Sequence, residues 1–154
     1  MLNNIANAID SSAISTLFKT HFWIVPTAQS FHIMAVALVF TTSTIIALRA
    51  VNLAVGSSPT LPEWSTRLMP TLWGGLVALL LTGICLIIAE PHRELLDTLF
   101  QFKMLGVIIA AGMSYFIANK IYADAVTSTI KILAWVLILL WVSIIYAGRW
   151  IAYL

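Results

Sequence analysis

Charge is what this chain has least of. Only 9% of its 154 residues are Asp, Glu, Lys or Arg, while 61% are hydrophobic and the mean hydropathy is +1.00. A soluble domain is usually about one-quarter charged, so this composition leaves almost no room for one. The formal net charge of +2 carries no electrostatic footprint for nucleic acid. Cysteine is nearly absent too. The single Cys85 stands between Ile84 and Leu86, which excludes a disulfide framework or a thiolate metal site within the chain and makes it a small apolar filler. There is no glycine-rich phosphate loop, no HExxH, no carboxylate pair inside an apolar run and no series of arginines resembling a voltage sensor. Nor are there two Gly/Pro-broken half-helices in corresponding positions, so ion transport by this chain alone is not expected.

What is present is apolar sequence in long runs. Four of them cover roughly Ala28–Arg49, Leu68–Glu90, Thr98–Lys120 and Ile130–Trp150. A helix rising about 1.5 Å per residue needs about 20 residues to cross about 30 Å of hydrocarbon, and each run suffices. The first 27 residues lack a basic start followed by a compact apolar stretch, so no cleavable leader is expected. They read as an amphipathic helix at the membrane surface. Ile14, Leu17, Phe18 and Phe22 share one face, Ser12, Ser15 and Lys19 lie elsewhere, and Trp23 anchors the interface before Pro26 opens the first span. The expected architecture is all-α: an interfacial segment over 1–27, then a four-helix transmembrane bundle over 28–154.

The connectors carry familiar breakers. Gly56-Ser57-Ser58-Pro59 and Pro62 interrupt the first, Pro70 suits the first turn of span two, and Glu90 to Glu94 begins a short connection to span three. Arg49, Arg67, Lys120 and Lys131 flank the first and third connectors; Lys19, Arg93 and Arg149 lie on the opposite side. The basic excess favours both termini outside, which in a bacterial inner membrane means the periplasm, with Trp150 and Tyr153 forming an aromatic belt there. Four crossings put the N-terminal segment, the second connector and the C-terminal end on one face. His21, His32 and His92 all lie near it, with Lys103 a few residues into span three.

Ionisable groups are costly in hydrocarbon, about 2.5–3.5 kcal/mol on insertion scales, so His32 and Lys103 are the first candidates for function. Around His32 stand Ala28, Gln29, Ala35 and Val36, which leave space for a flat macrocycle, and imidazole is a common axial ligand of haem iron. The alternative for His32 is a hydrogen bond to a neighbouring helix. Gly106, Ala110, Gly112 and Ser114 could line a cofactor surface or simply let helices pack closely. Lys103 and Arg149 are candidate partners for haem propionates or lipid headgroups; otherwise they snorkel, or Lys103 pairs with Glu90 or Asp97. His92 or His21 could supply a second ligand.

Two groups of residues carry a resemblance. Gln29-Ser30-Phe31-His32-Ile33-Met34, with the span closing at Leu48-Arg49, resembles the first helix of an uncharacterised family of small bacterial four-helix membrane proteins. Met69-Pro70-Thr71-Leu72-Trp73, Leu81-Thr82-Gly83 and Phe100-Gln101-Phe102-Lys103-Met104 are similar to that family's later landmarks. The likeness covers about Trp23 to Asn119, and departs from the pattern at Gln29 and Ala47, where the family often has acidic residues. The family is in turn distantly similar to four-helix proteins of the CopD and HemJ type. That resemblance implies b-type haem with His32 and Lys103 at the matching positions. Three functions are therefore expected to compete. One is a small haem b protein with His32 as metal ligand, moving electrons at the outer leaflet to a quinone or partner. The second is a cofactor-free accessory subunit of a larger respiratory or photosynthetic complex, or a homo-oligomer. The third is a HemJ-like protoporphyrinogen oxidase.

Overall fold

A computed structural model describes residues 2–52, 61–123 and 125–151. The breakers Gly56 to Pro59 and the belt residue Tyr153 lie outside the described residues, as does the side chain of Pro62. Among the described residues the fold is all-α, with four helices long and apolar enough to cross a membrane. Two short helices come first, α1 (Leu2–Asp10) and α2 (Ala13–Thr20). They are separated at Ser11-Ser12, where the Ser12 hydroxyl accepts the Ser15 N–H at 3.2 Å and caps α2. The expected single amphipathic helix is thus two helices, because a serine that caps a new start ends the old one.

The first spanning helix, α3 (Ile24–Ala50), begins just before Pro26, whose missing N–H costs little in a first turn. The second, α4 (Leu61–Ala89), starts earlier than its apolar run, so Pro70 is inside the helix rather than in its first turn and removes one rung of the backbone ladder. The connector after it is helical: Pro91 opens α5 (Pro91–Leu96) at the N-terminal position proline tolerates best. Asp97 then caps α6 (Thr98–Tyr122), its Oδ1 accepting the Leu99 N–H at 2.8 Å. The last helix is α7 (Ser128–Ile151).

Apolar side chains surround the spanning helices on every side, as a lipid-facing bundle requires. α3 packs on α4 and α6 on α7; α3 against α7 and α4 against α6 close the ring. The parallel helices α3 and α6 also touch across the diagonal. Small residues permit this approach. Ala35, Val39, Ser43 and Ala47 recur every fourth position of α3, and Gly106, Ala110, Ser114 and Ala118 do so on α6; all eight are buried. At mid-bundle the Ser43 and Ser114 hydroxyls hydrogen-bond at 3.2 Å. Below them Ile46, Ile117, Ile121, Ile130, Ala134 and Leu137 make a wholly apolar core.

The two N-terminal helices fold back onto the bundle, α1 against α5 and α2 against α3 and α4. Their polarity is inverted relative to a soluble protein. In α2 the fully buried residue is Ser15, while Ile14 and Leu17 are 58% and 50% exposed, and Phe22 beyond them is 89% exposed. An apolar face turned away from the protein is covered by lipid when the helix lies at the membrane surface. Lys19 and Asp10 form a salt bridge that ties α2 to the end of α1. The Lys19 ammonium holds the Asp10 carboxyl below its ordinary value, with His92 on α5 adding a weaker pull.

Candidate functional site

Each spanning helix ends its buried stripe with an unusual residue at the end of the bundle nearest α5. On α3 the stripe of Ala35, Val39, Ser43 and Ile46 begins at His32. On α6 the stripe of Gly106, Ala110 and Ser114 begins at Lys103. On α4 the stripe that includes Leu72 and Leu79 reaches Thr82-Gly83, and on α7 the stripe of Leu137, Trp141 and Ile144 reaches Gly148. The spacing of three or four residues puts each of these on the bundle-facing side of its helix.

The packing brings them into one layer. His32 Nδ1 lies 2.9 Å from the Thr82 hydroxyl across the α3–α4 interface. The Thr82 hydroxyl also lies 2.7 Å from the Ala78 carbonyl of its own helix and 3.2 Å from that of Leu79. A threonine has one hydroxyl proton, and the short approach to Ala78 takes it. The Thr82 oxygen can therefore only accept from His32, which places the imidazole proton on Nδ1. Nε2 is then a lone-pair donor, the form in which histidine binds metal ions. Beside the ring, a Cβ added at Gly83 would lie 3.6 Å from His32 Cε1 and meet nothing else within 4 Å, so the glycine leaves that edge of the imidazole uncrowded.

Lys103 has a glycine of its own. Its side chain runs over Gly148 of α7, with Nζ 3.4 Å from where a Cβ would stand. The ammonium lies 6.0 Å from the Phe100 ring centroid and is within electrostatic reach of His32 on one side and of Glu94 on the other. The partners expected from the sequence are engaged elsewhere. Glu90 bonds Arg93 at 2.6 Å, and Asp97 caps α6. Among the described residues, none makes an ion pair or a hydrogen bond with Lys103 Nζ.

His32 and Lys103 thus lie at the same end of the bundle, within electrostatic reach of each other. Arg149, next to Gly148, is exposed at the same end of α7. His92 is exposed on α5 and acts on Asp10 of the N-terminal helices. His21, exposed at the end of α2, has its Nδ1 3.1 Å from the Leu17 carbonyl. Thr82, Gly83, Gly148 and Glu94 are the members that sequence reasoning did not single out as site residues. One signal was available: Thr82-Gly83 stands about as far from the end of α4 as His32 does from the start of α3. Antiparallel neighbours of equal depth meet.

A cleft of about 550 Å³ lies elsewhere, lined by Asn4, Ile5, Ala8, Ile9, Ser12, Ile14 and Ile88. It belongs to the packing of the N-terminal helices on α4 rather than to the His32 layer. Among the described residues, no three His, Cys, Asp or Glu side chains cluster as a multidentate metal site. A single imidazole with a cation beside it is the chemistry on offer, suited to a group that brings its own remaining ligands and carries negative charge.

Comparison with known proteins adds no constraint. No family model, no curated protein and no solved structure matches this chain.

Proposed function

We propose that the protein binds one b-type haem in the leaflet nearest α5, and transfers electrons there to or from a quinone or a partner protein. The observation that carries this reading is the Thr82 hydroxyl, which holds the His32 proton on Nδ1 and leaves Nε2 as a ligand atom. His32 would be the axial ligand, Lys103 and the exposed Arg149 the cationic partners of the propionates, and His92 a group at the outer edge. Haem, when bound, supplies the one-electron chemistry. The chain's own residues orient the imidazole, place a positive charge beside it and surround both with apolar helix. The donor set fits such a group: one oriented imidazole, a nearby ammonium and two glycines that keep the layer open. Kinship with the CopD and HemJ type, and a place in a bacterial inner membrane with periplasmic termini, are parts of the same proposal.

A visible spectrum of the purified protein tests it. Wild type should show a Soret band and a reducible α-band. His32→Ala should lose most of the haem while still inserting, since the substitution makes its span more apolar. Lys103→Ala should weaken retention or shift the potential without abolishing the spectrum. A colourless wild type, or a spectrum indifferent to His32→Ala, would overturn the assignment.

A second reading has its own observation. Gly74 and Gly112 are exposed on outer faces of α4 and α6, with nothing within 4 Å of a Cβ added to either, and open glycines let a neighbouring helix approach closely. They favour a cofactor-free subunit of a larger membrane complex or a homo-oligomer. Colourless protein that copurifies with a larger assembly would support it.

A further inference from the structure

The contact between α3 and α6 is a seam of small residues, and one polar bond lies within it. Ser43 and Ser114 are 71 residues apart in sequence and meet at 3.2 Å with neither side chain exposed. Ala35 and Gly106, Val39 and Ala110, and Ala47 and Ala118 share that separation, and all are buried. His32 and Lys103 share it too. Each lies eleven residues above its serine, which on an α-helix is about three turns, about 16.5 Å along the axis and within about 20° of the same face. The two parallel helices therefore present His32 and Lys103 at one level because the serines are level.

The apolar members of the seam do not define that level by themselves. Ala110 and Ala118 are interchangeable knobs, and sliding α6 by one turn would set Ala110 against Ala35, alanine against alanine again. Small-residue seams pack well in several such positions, whereas a directional bond between two buried hydroxyls is satisfied in only one. Ser114 has a single proton, and its 2.7 Å approach to the Ala110 carbonyl takes it, so Ser43 is the donor across the seam. Slipping by a turn would set Ser43 against Ala110 or Ala118 and lose the bond between the helices.

We propose that the Ser43–Ser114 hydrogen bond is the register pin of the bundle, a pair of positioning residues that holds Lys103 level with His32. Its effect on cofactor binding rests on the haem reading above; its effect on register does not. The test uses Ser43→Ala, Ser114→Ala and the double variant, each purified as the full chain. In haem-loaded protein, each single substitution should shift the reduction potential or α-band and weaken haem retention about tenfold. The double variant should do no more than either single, since one bond is lost in all three. Haem-loaded protein whose potential, band and retention are unchanged in all three variants would overturn the pin while leaving the haem site standing.

The register itself is read without haem. In a Cys85→Ser background, Val39→Cys with Ala110→Cys should be joined by a short bifunctional thiol reagent, and Val39→Cys with Ala118→Cys should not. Introducing Ser43→Ala and Ser114→Ala should spread the cross-linking to unmatched pairs. If wild type holds no haem, this measurement alone decides: spread cross-links support the pin, and an unchanged pattern refutes it.

Discussion

His32 has two ring nitrogens, and a hydroxyl on the neighbouring helix makes them different. Thr82 has already given its proton to Ala78, so it can only accept, and the imidazole is left with one orientation and one free lone pair. If His32 ligates haem as proposed, an imidazole held in this way loses less freedom on binding, and removing such an orienting group commonly costs about 10–100-fold in metal affinity. Thr82→Val, which keeps the shape and deletes the oxygen, should therefore weaken haem retention by about 10- to 100-fold. Thr82→Ser should retain it; a haem titration of the apoprotein compares the two. Gly83 is set beside the other edge of the ring. Gly83→Leu should fill that space and reduce haem content while the purified chain stays monodisperse, as size-exclusion chromatography would show.

At the scale of elements, the two glycines of α6 make opposite contributions. Gly106 faces α7, where an added Cβ would come within 3.0 Å of Ile144 Cγ1; Gly112 faces outward with nothing near. Gly106→Val should overpack the α6–α7 interface and destabilise the protein by about 1–3 kcal/mol. Gly112→Ala should be neutral or stabilise by up to about 1 kcal/mol through helix propensity. Unfolding in detergent measures both. The N-terminal helices respond instead to acid. Asp10 is held below its ordinary value chiefly by its hydrogen bond to Lys19, so the link between α1 and α2 is complete above that ordinary value of 3.8 and is lost as pH falls through the lower folded one. Amide exchange over residues 2–20 should accelerate there. Lys19→Met should produce the same acceleration at neutral pH.

For the whole molecule, four spans require that the ends of the bundle alternate. α1, α2 and α5 pack together at one end, and α7 finishes there beside Lys103. Reporters fused to the C-terminus and within the connector between α6 and α7 should report opposite compartments. The basic residues further favour the C-terminal reporter being external, and activity of that reporter only in the cytoplasm would reverse the direction.

The spans were legible because hydrocarbon imposes a length and a polarity that few sequences meet by accident: the apolar runs end within a few residues of α3, α6 and α7. His32 and Lys103 were legible for the same reason, since ionisable groups stand out against such a background. Thr82 and Ser43 did not stand out, and Ser114 did so only as one of the small residues of its span, because a hydroxyl can bond a carbonyl of its own helix and so sits in a span at little cost wherever it falls. The split between α1 and α2 and the helical connector α5 hinge on details a few atoms wide, the Ser12 cap and Pro91 in the first helical position. Sequence by itself determined which segments cross the membrane and which side chains are out of place there. Only the tertiary structure decided the register of α3 on α6, the threonine that meets His32 and the glycine that receives Lys103. Periodicity places a residue on a face of its own helix, but its height against the next helix comes from contacts between chain segments far apart in sequence.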